Sequence, residues 1–265
     1  MSLTRISAIL LRQYYLTRDN PTRMIQIFMW PLLDIILWGF ISKYVGEIGG
    51  AAFSLSLLGA IILWDFLVRV MYGVTVTFFE DVWSRNFLNI FASPLAVGEY
   101  ISGMVLWSIC TSLIGFSAML LSAWAFFGFS AAVYTLMALP FMLILFFTGV
   151  ALGIFGVSIV LRFGPSAEWF IWPMPAVLTP FAGVFYPLSI LPEWMQTIAY
   201  ALPPSHVFEG LRAIITGGEV MTSSLINGTL LGVFYIAIAY IFFLRVYKRA
   251  IRTGLIARYS AETVS

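Results

Sequence analysis

Asp34, Asp65, Arg69 and Tyr72 are the residues whose types and spacing invite chemistry, because each stands inside a long apolar run. Asp65 and Arg69 are four residues apart and Tyr72 follows three later, so a helix carries all three on one face. Charges at membrane depth are costly and turn toward a bundle interior or a water-filled cavity. Two carboxylates against one guanidinium leave one negative charge over, which suits a proton relay or a contact to substrate. The other reading is internal structural pairing of Asp65 with Arg69, joined by Asp34 from a neighbouring helix.

The rest of the chain excludes several chemistries. His206 and Cys110 are the sole residues of their kinds, so no His/Cys spacing suits a metal site and none is expected. No cluster of nucleophile, base and orienting group is present either, which argues against an intramembrane enzyme. A phosphate-binding loop needs a Gly-rich turn followed by Lys and then Ser or Thr. The only lysines are Lys43, in SKY, and Lys248, in YKR. The chain therefore has no nucleotide site of its own.

The elements that must position these residues are read from composition. Of 265 residues, 61% are hydrophobic and 10% charged, against about 25% charged in a soluble domain. Mean hydropathy is +0.98. This is an all-α integral membrane protein forming one domain over residues 1–265, and the scattered net charge of +2 makes no nucleic-acid surface. Apolar runs at 24–41, 54–78, 100–127, 132–161, 169–191 and 224–244 predict six spans. Residues 1–20 differ, because Arg5, Arg12 and Arg18 interrupt Leu3, Ile6, Ile9, Leu10 and Tyr14 in the pattern of an interfacial amphipathic helix. Asn20-Pro21 then predicts the N-cap and first residue of the next helix.

Lys and Arg fix the orientation. With both termini cytoplasmic, eleven lie inside, Lys43 and Arg212 lie outside, and Arg69 lies within a span, completing the 14. Positive residues concentrate on the cytoplasmic side. The basic tail beginning at Arg245 anchors this topology and meets anionic lipid.

Two interruptions remain. Residues 191–215, LPEWMQTIAYALPPSHVFEGLRAII, are cut by Pro192, Pro203 and Pro204 into pieces at 192–202 and 207–215. Each is far shorter than the about 20 helical residues that a span requires. Broken backbone at membrane depth needs protein or water around it, so an outward re-entrant hairpin is expected here. It would carry Glu193, Trp194, His206, Glu209 and Arg212, with His206 in a hydrogen-bonding role and Glu209–Arg212 as a local pair. On the cytoplasmic side, residues 80–94 carry Glu80, Asp81, Trp83, Arg85, Phe87, Ile90 and Phe91. Trp83, Phe87, Ile90 and Phe91 repeat at helical spacing, so a short amphipathic helix ending near Ser93-Pro94 is expected. Its aromatic face needs headgroups, the protein's own spans or a partner's groove.

The pattern ED…R…F…SPL…EYISG, followed downstream by FAGVFYPLSILPEWMQTIAYALPPSHVFEGLR, resembles the permease subunit of type-2 ATP-binding-cassette transporters of the exporter class. The resemblance implies that the 80–94 helix couples to a separate ATPase and that the outward hairpin closes the translocation path. It also implies two permease copies with two ATPase subunits that carry the ATP and Mg²⁺, in a bacterial inner membrane. The cargo would be an amphipathic, lipid-linked, polysaccharide or drug-like molecule. The competing reading is a secondary transporter or channel that uses Asp34, Asp65 and Arg69. Internal inverted repeats usually accompany that mechanism, and none is evident.

Overall fold

The computed structural model describes residues 2–84, 86, 89, 90, 93–128, 131–215 and 222–254; for 26, 51, 52 and 131–137 it describes the backbone alone. Every regular element among them is helical. The N-terminal helix α1, Leu3–Arg18, turns Ile6, Ile9 and Gln13 inward. It leaves Leu3, Leu11, Tyr14 and Tyr15 exposed, so apolar side chains stand on both of its faces.

Helix α2, Pro21–Gly49, begins as the sequence predicts. The Asn20 side-chain oxygen accepts from the backbone N–H of Thr22 at 3.1 Å and of Arg23 at 3.4 Å, and Pro21 occupies the first turn. Gly50, at φ 87°, makes the tight turn into α3, Ala51–Trp83, a backbone conformation that disfavours any side chain. Helices α4 (Val97–Phe127), α5 (Ala131–Phe163) and α9 (Thr222–Arg252) complete the long elements. Five helices among the described residues are long and apolar enough to cross a membrane: Pro21–Gly49, Phe53–Trp83, Val97–Phe127, Ala138–Phe163 and Thr222–Arg252.

The fifth expected span, 169–191, is not one helix. It consists of a 3-10 turn at Pro165–Phe170, the nine-residue helix α6 (Met174–Ala182), and a second 3-10 turn at Leu188–Ile190. Pro173, Pro175, Pro180 and Pro187 remove successive amide donors, and Gly183 at φ 65° ends α6 in the left-handed region. Beyond it lie α7, Glu193–Ala201, and α8, Pro203–Ile215. Pro203 and Pro204 form the first turn of α8, where a proline costs no hydrogen bond, so α8 starts earlier than the expected 207.

Helix α3 is the axis of the bundle, with Leu67, Val70, Met71, Val74 and Phe78 wholly buried. Lipid supplies no hydrophobic drive between helices, so close backbone approach must hold them. A Cβ on Gly149 of α5 would stand 2.7 Å from Val70 Cβ and 2.8 Å from the Leu67 carbonyl oxygen, and one on Gly153 would stand 2.7 Å from Val74 Cβ. On the other side of α3, Ser108 of α4 donates its hydroxyl to the Val70 carbonyl at 2.7 Å. The glycines of the fourth expected span thus pack within the protomer.

Candidate functional site

At the end of the bundle where α3 finishes, three acidic residues meet three arginines. Asp81 is fully buried; Arg12 of α1 donates to it through Nη2, and the Tyr100 hydroxyl of α4 donates to its Oδ2 at 2.6 Å. Arg23, in the first turn of α2, lies 2.9 Å from Glu80 Oε1. Glu99 accepts from the Ser2 amide at 2.6 Å, the Ala96 amide at 2.9 Å and Arg5 Nη1 at 3.3 Å. Trp83 donates its indole N–H to Glu168 Oε2 at 2.9 Å, which ties α3 to the 3-10 turn after α5.

Glu80, Asp81 and Trp83 therefore belong to the last turn of α3 and engage the chain's own helices. The stretch expected as one helix over 80–94 divides at Ser84, because nothing interrupts α3 before Trp83 and the arginines of α1 and α2 hold its final turn. After it, the Asn86 amide donates to the Asp81 carbonyl at 3.0 Å and the Ile90 amide to the Asn86 carbonyl at 3.1 Å. Ile90 packs against the bundle core. Arg85, Phe87 and Phe91 lie outside the described residues.

Within the bundle, Asp65 and Arg69 form the expected ion pair. Arg69 Nε donates to Asp65 Oδ2 and Nη2 to Oδ1 at 3.3 Å, while Nη1 reaches the Ile27 carbonyl of α2 at 3.5 Å. Both side chains are largely enclosed, at 15% and 13% exposure. Gly115 of α4 makes the room, since a Cβ there would lie 2.9 Å from Arg69 Cδ. Asp34 of α2 stands within electrostatic reach of both partners. Tyr72 does not join them: its hydroxyl donates to the Trp172 carbonyl at 2.9 Å.

At the opposite end, α8 lies against α3, α5 and α9, and α7 packs on α6 and α8. The Phe208 ring is 6.1 Å from that of Trp64, about 20 Å along α3 from its first residue. A Cβ on Gly210 would touch Phe141 of α5 at 2.7 Å. Pro192 precedes α7, whose Glu193 and Trp194 are exposed. His206 hydrogen-bonds the Tyr200 carbonyl at 3.0 Å. Glu209 and Arg212 pair at 2.8 Å, yet they also hold the broken stretch. Glu209 accepts from the Leu188 amide at 2.9 Å, and Arg212 Nη2 donates to the carbonyls of Gly183 and, at 3.2 Å, Val184. Burial pulls the Arg212 pKa down against the opposing charge of Glu209. Stacking of Trp38 on Phe185, at 5.0 Å and 16°, fixes the same stretch to α2.

Sequence reasoning missed Glu99, Tyr100, Glu168 and the roles of Arg5, Arg12 and Arg23. The available signal was the near balance of acids and arginines around 80–99 and 5–23, which suggests pairing without naming partners.

Comparison with known proteins bears on the whole arrangement. Residues 4–216 match the model of the family described as ABC-2 type transporter. Nodulation protein J of Sinorhizobium fredii is 26% identical over 187 residues, covering 69% of this chain and 70% of that protein. Nodulation protein J of Rhizobium leguminosarum biovar trifolii is 25% identical over 181 residues, covering 67% of each. A match that takes in α1, the paired charges of α3 and both short helices reaches all of the fold described above except α9, and it places this multi-pass chain in the ABC-2 type transporter family of membrane transport permeases.

Proposed function

We propose that this chain is the permease subunit of an ATP-driven exporter, working as two copies with two separate ATPase subunits that bind ATP and Mg²⁺. The family match over residues 4–216 carries this reading. It is supported by the lysine pattern, since neither Lys43 nor Lys248 sits in a phosphate-binding loop. The cargo is an amphipathic, lipid-linked, saccharide or drug-like molecule moved out of the cytoplasm of a bacterium through its inner membrane, with both termini inside. Force enters through residues 80–94, where Arg85, Phe87 and Phe91 meet the ATPase while Ile90, expected on the same face, packs back on the bundle core. Glu80, Asp81 and Trp83 transmit it to α1, α2 and the turn after α5.

On the outer side, α7 and α8 re-enter the membrane and close the path. Two features support this: nine and 13 residues are too short to span, and Phe208 packs against Trp64 well inside α3. Glu209 and Arg212 would then tie the gate to the broken passage beside it. Copurification with a tagged candidate ATPase, followed by ATP-dependent flux in proteoliposomes, tests the reading. Flux by the chain alone, indifferent to ATP, would overturn it.

A further inference from the structure

A cleft of about 410 Å³ opens between α1 and the turn that leads into α4, within the range of about 300–1,000 Å³ usual for small-molecule sites. Its polar lining is Arg5, Arg12, Asn86, Asn89, Ser93 and Tyr100, and among the described residues no carboxylate lines it. The acids that pair with the two arginines, Glu99 and Asp81, sit behind them on α4 and α3, with 2% and 0% exposure. The Arg5 and Arg12 side chains keep 46% and 32% of their surface open. A guanidinium carries five N–H donors, and those directed away from the carboxylates are the ones a cleft ligand meets.

The rest of the wall is apolar, formed by Ala8, Ile9, Ile90, Pro94 and Leu95. A fully hydrated inorganic anion gains nothing from such a wall. An anion carried on a glycerol and the first methylenes of an acyl chain does. The position agrees, because α1 turns exposed Leu3, Leu11, Tyr14 and Tyr15 outward beside the cleft, as a helix lying in the headgroup layer does. Cytoplasmic leaflets are rich in anionic lipid.

We propose that this cleft is a binding site for one anionic phospholipid, with the phosphate between Arg5 and Arg12, the polar headgroup toward Asn86 and Asn89, and the upper acyl region along Ile9, Ile90 and Leu95. The bound lipid joins the interfacial helix to the turn beyond α3, and by mass action it stabilises the arrangement that holds it. The inference needs the membrane location of the chain but not the identity of its ATPase or cargo.

The test uses the full chain in nanodiscs of phosphatidylcholine alone or with phosphatidylglycerol, reading lipid retained after mild delipidation and the melting temperature. The parent should retain phosphatidylglycerol and melt higher in its presence, and millimolar inorganic phosphate should not displace it. Asn86→Ala/Asn89→Ala and, separately, Arg5→Gln should each bind phosphatidylglycerol roughly tenfold more weakly, the loss of one charge-assisted contact. Arg5→Lys should recover part of the effect. The double alanine variant breaks no ion pair and loses only the exposed hydrogen bond from Asn89 Nδ2 to Asn86 Oδ1, so its melting temperature in phosphatidylcholine should stay close to the parent's. Unchanged phosphatidylglycerol retention in both variants, or displacement by inorganic phosphate, would overturn the proposal.

Discussion

Arg12 of the N-terminal helix and Asp81 in the last turn of α3 form an ion pair whose carboxylate is fully buried and is completed by the Tyr100 hydroxyl at 2.6 Å. Three helices distant in sequence are thereby locked at the point where the chain leaves the bundle after α3. Deleting one partner of a buried pair strands the other and costs about 3–5 kcal/mol, whereas deleting both costs less. Asp81→Asn and Arg12→Gln should each lower the melting temperature, with the double variant more stable than the sum of the two predicts. Thermal unfolding in detergent, run as a double-mutant cycle, checks this; strict additivity would mean the two residues act independently.

The same logic applies to Asp65 and Arg69 with a different stake. Arg69→Leu leaves Asp65 and the nearby Asp34 without their counter-charge, and a loss of about 3–5 kcal/mol is expected. Adding Asp65→Asn should restore part of the stability. If Arg69→Leu melts like the parent but transports nothing, the guanidinium serves cargo and not structure.

Two glycines inside α3 and α5 should respond in opposite directions to the same change. A methyl on Gly149 would collide with Val70 and the Leu67 carbonyl, whereas nothing lies within 4 Å of one on Gly59. Gly149→Ala should destabilise by about 1–3 kcal/mol through overpacking. Gly59→Ala should stabilise by up to about 1 kcal/mol through helix propensity. Melting temperatures of the pair decide it; equal shifts would remove the tight α3–α5 crossing from the account.

Local rules found much of this fold. Asn20-Pro21 starts α2, the i to i+4 spacing of Asp65 and Arg69 delivers their pair, and Pro192 with Pro203 bounds the two short helices. What they missed depends on contacts between distant segments. Hydropathy over 169–191 is that of a span, and only the accumulated prolines with a left-handed Gly183 break it. Glu80 and Asp81 look like the start of a coupling helix until Arg23 and Arg12 arrive from residues nearly 60 and 70 positions away. Tyr72 shares a helical face with Asp65 and Arg69, but the Trp172 carbonyl claims its hydroxyl. Helical spacing says which residues share a face; it does not say which neighbour that face meets.

The coupling segment makes its own prediction. Phe87→Asp and Phe91→Asp place charge on the face expected to dock the ATPase. Each should leave membrane abundance unchanged while ATPase pull-down falls several-fold. Retained pull-down with full substrate-stimulated hydrolysis would move the docking surface elsewhere.

The central claim, that a partner's ATP cycle drives an outward gate built from α7 and α8, is tested most directly by labelling a single cysteine at Glu193 in a Cys110→Ser background. Glu193 is exposed at the start of α7, and the experiment needs no known cargo. An impermeant thiol reagent applied outside cells, or to right-side-out vesicles reconstituted with the ATPase, should modify it, at a rate that changes when nucleotide is trapped on the ATPase. Labelling from the cytoplasmic side alone, or at a rate that nucleotide leaves untouched, would contradict the account.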